Sequence, residues 1–180
     1  LPATSHESFV EHFWKGVTKR TKIIFISQIT SSTGLIFPVA EICKRARTNG
    51  ILTIIDGAHV PGHMPLNIRE LDPDVYTGAC HKWLSAPKGS TFLYVKKNLQ
   101  DRVKPLVVSW GKVEDSSPSS FIYENQYQGT SDPSAFLAVS DAIKFQQNND
   151  WESVKKRCRD LTRSTRDRFY EIINTNPICP

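Results

Sequence analysis

The sequence predicts an α/β fold with a mostly parallel sheet, and three observations carry that prediction. Two short β-rich runs, KIIFIS at Lys22–Ser27 and ILTII at Ile51–Ile55, flank a stretch with helical spacing. The unit spans about 30 residues, the length of a strand–helix–strand crossover. Such crossovers are right-handed and join parallel strands. Third, Asp56 directly follows the second run, at the carboxyl edge where open parallel sheets bind ligands.

The elements follow in order. Lys22–Ser27 is the first strand, and SSTG breaks it. Pro38 stands where a first helical turn tolerates proline. Val39, Ile42, Cys43 and Ala46 recur at helical spacing, and Gly50 stops the helix. Ile51–Ile55 reads as a buried strand, followed by the Gly- and Pro-punctuated loop DGAHVPGH. LDPDVYTG leads to a strand near Val75–Thr77, and TFLYV at Thr91–Val95 returns as another. Between them lies an irregular loop headed by His81-Lys82. Glu114–Ser120, EDSSPSS, reads as flexible. Asp132 then reads as an N-cap with Pro133 at the first helical position. Phe136, Val139, Ala142 and Ile143 share one face. Trp151, Val154, Cys158, Leu161, Thr165, Phe169 and Ile172 recur every three or four positions, which predicts a long amphipathic helix. The chain shows no internal repeat.

Composition narrows the function classes. The 180 residues suit one domain, with 39% hydrophobic and 23% charged residues. No apolar run approaches the roughly 18 residues of a membrane span. The chain begins at Leu1, its single Met is Met64, and no signal-peptide pattern opens it. A piece of a longer chain is therefore the expectation. Cys43, Cys80, Cys158 and Cys179 form no C-x-x-C pair, so a disulfide scaffold or zinc knuckle is not indicated and a cytoplasmic setting is expected. The formal charge is +5, and Trp151–Ile173 holds seven Lys or Arg against four Asp or Glu. Without aromatic–basic interleaving this reads as a solvated helix face, so neither nucleic acid nor membrane is an expected partner.

Few residues could carry chemistry, and each has a bland alternative. Asp56 alone reads as a turn or cap residue, yet a buried carboxylate needs a charged or hydrogen-bonding partner. His59 follows three residues later. Its H-x-x-x-H spacing with His63 is interrupted by Pro61 and Gly62, which argues against a helical metal pair. Lys82 is the informative residue. Lysines are usually exposed, but this one sits among Cys80, His81, Trp83 and Leu84 just after a strand. Desolvation there would yield a neutral, nucleophilic amine able to form a Schiff base with an aldehyde. Lys88, between Pro87 and Gly89, reads as a solvated turn residue. Gly129-Thr130 offers an amide and a hydroxyl for an anion, although on its own a loop before a helix cap explains it better.

Their order raises the signal. The segments ISQITSSTGLIFPVAEI, IIDGAHVPG, CHKWLSAPKG and QGTSDPSAF cover most of Lys22–Phe145. Together they resemble the class V branch of the pyridoxal-phosphate aminotransferase superfamily, fold type I, and within it the isopenicillin-N-epimerase-like and cysteine-desulfurase-like members. The resemblance implies the central part of a three-layer αβα large domain over residues 1–147. It implies a long helix at 148–180 leading toward a small domain that the chain lacks. It further implies that Lys82 binds pyridoxal 5'-phosphate covalently, that Asp56 pairs with the pyridine nitrogen and that His59 faces the ring oxygen. By the same resemblance His81 lies near phosphate or ring. Gly129 and Thr130 reach the phosphate of a neighbouring subunit, giving a homodimer with a shared site. Ser31 stands near the carboxylate of an amino-acid substrate.

There are departures. Ala79 occupies a position where desulfurases often carry a hydroxyl, which leaves that phosphate contact missing or supplied by Thr77. Epimerisation, desulfuration and transamination share their opening chemistry. HKWLSAPKG favours the epimerase-like group, and no cysteine is evidently placed as a mobile nucleophile. A non-catalytic dimerisation or binding fragment is the competing reading.

Overall fold

The computed structural model describes residues 5–110 and 120–175. Apart from Ser120, the run expected to be flexible at 114–120 lies outside them. Four strands form one sheet in the order β1 (Ile23–Ser27), β2 (Leu52–Asp56), β3 (Val75–Ala79), β4 (Thr91–Val95). The first three are parallel and β4 returns antiparallel to β3. Helix α1 (His6–Trp14) precedes β1, and α2 (Val39–Thr48) makes the predicted crossover from β1 to β2. A short helix α3 (Ile68–Leu71) leads into β3.

Alternation assigns the two faces of the sheet. Ile24, Ile26, Ile55 and Tyr76 point into a core that also holds Val10 of α1 and Val39, Ile42, Cys43 and Ala46 of α2. Full burial of a side chain such as Ile42 contributes about 1.5–3 kcal/mol. The opposite face carries Ile23 and Phe25 of β1, then Leu52 and Ile54, then Val75 and Leu93 across the register. It is apolar and only partly covered, with Phe25 66% and Leu93 47% exposed. Parallel sheets are normally covered on both faces. The described residues thus supply the sheet and one helical layer of the expected architecture.

Several boundaries differ from the sequence reading, each for a local reason. Asp56 is the last residue of β2 rather than the first of a loop, because it pairs with Ser27 and Thr77 in register. Pro38 caps α2 from outside, since its ψ of 60° is not helical. Gly50 has φ +65° and ends that crossover as expected. Asp132 accepts hydrogen bonds from the Ser134 amide and hydroxyl, which leaves Pro133 as the N-cap of α5 (Ser134–Leu137). The helix is interrupted at Ala138 before α6 (Val139–Asn148), so Phe136 lies on a separate helix from Val139, Ala142 and Ile143. Helix α7 spans Trp151–Ile173 as predicted, but its stripe is not packed throughout: Trp151 and Val154 are half-buried, while Leu161, Phe169 and Ile172 are exposed. Helix α1, the 3-10 turn Lys97–Arg102 and α4 (Ser120–Gln126) were not foreseen. For α1 the signal was present: the Ser5 hydroxyl caps the Ser8 amide, and Phe9, Val10, Phe13 and Trp14 lie on one face.

Candidate active site

Ser27, Asp56 and Thr77 are register partners at the carboxyl ends of the three parallel strands. Ligands bind beyond this edge in open α/β sheets. The Asp56 carboxylate is oriented on both oxygens: Oδ2 accepts from the Ser27 hydroxyl at 3.1 Å, and Oδ1 accepts from the Ala58 amide at 2.9 Å. Beneath it the fully buried Tyr76 donates its hydroxyl to Gln28 at 2.9 Å. Burial, and secondarily the Asp56 charge, push that phenol far above its ordinary range, so it stays a donor. Gly57 must be glycine, because a Cβ there would lie 2.0 Å from the Tyr76 oxygen.

Two loops meet at this edge. The 57–63 loop follows β2, and the 80–90 loop joins β3 to β4. They touch closely at Gly62, where an added Cβ would lie 2.6 Å from the Leu84 amide and the Trp83 carbonyl. The contact places Lys82 Nζ 3.0 Å from His59 Nε2. On the other side of the imidazole the Trp83 indole N–H donates to His59 Nδ1 at 3.2 Å. The Trp83 ring also stacks on His63, with centroids 4.5 Å apart. Burial first, then the charge of Lys82 and the neighbouring His63, hold the His59 ring below the ordinary imidazole range, with Asp56 pulling it back.

The structure thus joins His59 to Lys82 directly, and His59 sits on the loop that follows the strand ending at Asp56. It corrects one expectation, the desolvation of Lys82. Its side chain is exposed, because it stands at the edge of the sheet where no described element covers it. A hydrogen bond to His59 orients the amine instead. His81 Nδ1 lies 3.3 Å from the Ser90 carbonyl, which tethers the ring to the far end of the same loop. The Thr77 hydroxyl donates to the Phe92 carbonyl at 3.2 Å. Lys88 is exposed in the turn, as expected. Ser31 is exposed in the turn after β1, at the same sheet edge but without a described contact to the Lys82 cluster. Gly129, at φ +125°, and the exposed Thr130 likewise have no described contact with it.

Sequence reasoning treated Trp83 only as a neighbour of Lys82 and missed the residues that brace the loops. Gln146 of α6 donates to the Trp83 carbonyl at 2.8 Å, and the Trp151 indole of α7 donates to the Gly62 carbonyl at 3.2 Å. Neither is near in sequence, so no local pattern could have revealed them.

The Aminotransferase class-V family model matches residues 3–178. The chain belongs to that family. The class V family is one of pyridoxal-phosphate-dependent enzymes. Among similar class V proteins, an isopenicillin N epimerase of Amycolatopsis lactamdurans is 34% identical over 189 residues, covering 99% of this chain and 48% of the relative. A hercynylcysteine sulfoxide lyase of Schizosaccharomyces pombe is 32% identical, covering 87% of this chain and 41% of the relative. The crystal structure of a cysteine desulfurase from Escherichia coli superposes with a TM-score of 0.73 at 22% identity, over 93% of this chain and 42% of that one. That likeness shows a shared fold. The chain spans about half the length, or less, of these relatives. No described helix is long and apolar enough to cross a membrane.

Proposed function

We propose that the protein is a pyridoxal-phosphate enzyme acting at the α-carbon of an amino acid, epimerase-like, with Lys82 as the residue that binds the cofactor. One observation carries the proposal: the Lys82 amine, on the loop after β3, meets His59, on the loop after Asp56, at the carboxyl edge of the sheet. The donor set suits the cofactor. It offers an amine for an aldehyde, a carboxylate for a ring nitrogen and an imidazole for a ring oxygen. When bound, the cofactor supplies an electron sink for the bond broken at the α-carbon.

The chain's own residues supply position and charge. Asp56 is fixed by Ser27 and Ala58, so its charge stays at one place on the sheet edge. A carboxylate held there favours a protonated nitrogen opposite it. Lys82 would be the group that takes or returns the proton at the substrate α-carbon. His59 orients that amine. His81, Thr77, Gly129, Thr130 and Ser31 remain assigned as implied by the resemblance, to phosphate, ring and substrate carboxylate. Residues 1–147 form the central part of the large domain, and 148–180 lead toward a small domain. The assembly is a homodimer that shares its sites, working in the cytoplasm.

The epimerase-like outcome is favoured over desulfuration by the two epimerases among the relatives, at 34% and 36% identity. The cysteines agree. Cys80 is buried, and burial pushes its thiol above the ordinary range, away from the thiolate a nucleophile needs. Cys158 lies on α7, and Cys179 lies outside the described residues. The test is spectroscopic. Full-length protein mixed with pyridoxal phosphate should gain visible absorbance that the Lys82→Ala variant lacks. Equal spectra for the two would refute the assignment of Lys82.

A further inference from the structure

The two loops that bring His59 and Lys82 together are each held from outside, at a backbone carbonyl. Gln146 of α6 donates to the Trp83 carbonyl at 2.8 Å, and the Trp151 indole of α7 donates to the Gly62 carbonyl at 3.2 Å. The two acceptors belong to residues in contact, since a Cβ on Gly62 would lie 2.6 Å from that same Trp83 oxygen. The two donors are joined as well. Helices α6 and α7 meet at Asn149 and Asp150, and the Trp151 ring lies edge-on to Phe145 with centroids 6.0 Å apart. One helix pair thus grips both loops where they touch. Its grip is polar: no residue of α6 or α7 is buried among the described residues, so no core side chain anchors the pair there. The 80–90 loop needs such a restraint. Just after the gripped contact, Ser85 takes φ +65°, a left-handed conformation that a non-glycine residue keeps only where its surroundings impose it. The Ser85 amide closes this turn on the Lys82 carbonyl at 3.1 Å.

We propose that Gln146 and Trp151 are positioning residues that act as one clamp, holding the 57–63 and 80–90 loops together so that Lys82 stays against His59. This rests on the function proposed above, because it makes the docking of α6 and α7 a condition for presenting the Lys82 amine to the cofactor. A shared clamp differs from two local braces. Gly62 and Trp83 move as one contact, so releasing either carbonyl frees both loops. The 3.0 Å approach of Lys82 Nζ to His59 Nε2 is then set by side chains 63 and 89 residues along the chain from the carbonyls they hold.

The test uses the full-length protein, dialysed free of small molecules. Gln146→Met removes one donor at similar side-chain length. Replacement of Trp151 by benzothienylalanine removes the other and keeps the ring shape and the contact with Phe145. Hydrogen exchange is followed at amides bonded within each loop region, His63 and Met64 in one, Ser85 and Ala86 in the other. Either variant alone should speed exchange in both loops by about 2- to 10-fold, the effect of one lost hydrogen bond, with the β1 and β2 amides unchanged. His59 adds a spectroscopic signature. Burial first and then the Lys82 charge hold its ring below the ordinary imidazole range, with Asp56 opposing and His63 adding. Parting the loops should move its NMR titration midpoint up toward about 6.5, while His12 of α1 stays where it was. Capture of pyridoxal phosphate should slow in each variant. Exchange that rises only in the loop whose carbonyl was released, a uniform rise that includes β1 and β2, an unmoved His59 midpoint, or unchanged capture would overturn the proposal. If one variant does not fold, the other decides alone, because each is predicted to loosen the loop it does not touch. Exchange and titration are measured without cofactor. Failure of the wild type to capture pyridoxal phosphate would sink the proposed function and leave the clamp tested by those two measurements.

Discussion

Replacing Asp56 by asparagine keeps the shape of the strand end, because an amide oxygen can still accept from Ala58 and an amide NH₂ can donate to Ser27. Only the charge is lost. Asp56→Asn should therefore fold normally and lose on the order of 100-fold in turnover, as when one preorganised electrostatic contact is removed. Single-turnover absorbance on the full-length enzyme checks this, and unchanged kinetics would remove Asp56 from the ring nitrogen. His59 gives a pH prediction. Its folded-state pKa is depressed, so as pH falls through the ordinary imidazole range near about 6.5 the unfolded chain binds a proton before the folded one does. The stability it lends is present above that range and fades as pH drops through the depressed value. Urea midpoints compared near neutral and mildly acid pH should fall less in His59→Gln than in the wild type; an equal fall would show that other groups carry the acid sensitivity. At this scale the sequence was informative about identity and poor about environment. Asp56, His59 and Lys82 could be picked from DGAH and HKW, because short spacings survive translation into structure. The exposure of Lys82 could not, because it depends on which elements cover the sheet edge.

At the scale of elements, the two loops form a unit through Gly62, with φ +76° and the Leu84 amide where a Cβ would be. Gly62→Ala must either strain that backbone or part the loops. It should cost roughly 1–3 kcal/mol in a urea melt and weaken capture of pyridoxal phosphate. A fully stable variant with unchanged capture would show that the loops are not coupled there. A second lock joins β2 to the start of β3. The buried Thr53 hydroxyl donates to Asp74 Oδ2 at 3.1 Å and accepts from the Asp74 amide at 3.1 Å. The strand–helix–strand unit and β4 were legible because period and punctuation are local. The split of α5 from α6, and the bracing of both loops by Gln146 and Trp151, depend on tertiary contacts across long separations that no local pattern encodes.

At the scale of the whole molecule, the sheet presents one face to a packed helical layer and leaves Ile23, Phe25 and Leu93 of the other exposed. The relatives are about twice as long as this chain, and we expect the remainder of the class V subunit to cover that face. Phe25→Asp should then destabilise or precipitate the full-length protein, whereas a solvent-facing position would tolerate it. The central claim is that the Lys82 amine, oriented by His59, is the cofactor's point of attachment. Borohydride reduction of the full-length protein with pyridoxal phosphate, followed by peptide mapping, tests it most directly. The account predicts a single reduced adduct on the peptide containing HKW, at Lys82; an adduct on Lys88 or spread over surface lysines, with Lys82 unmodified, would contradict it.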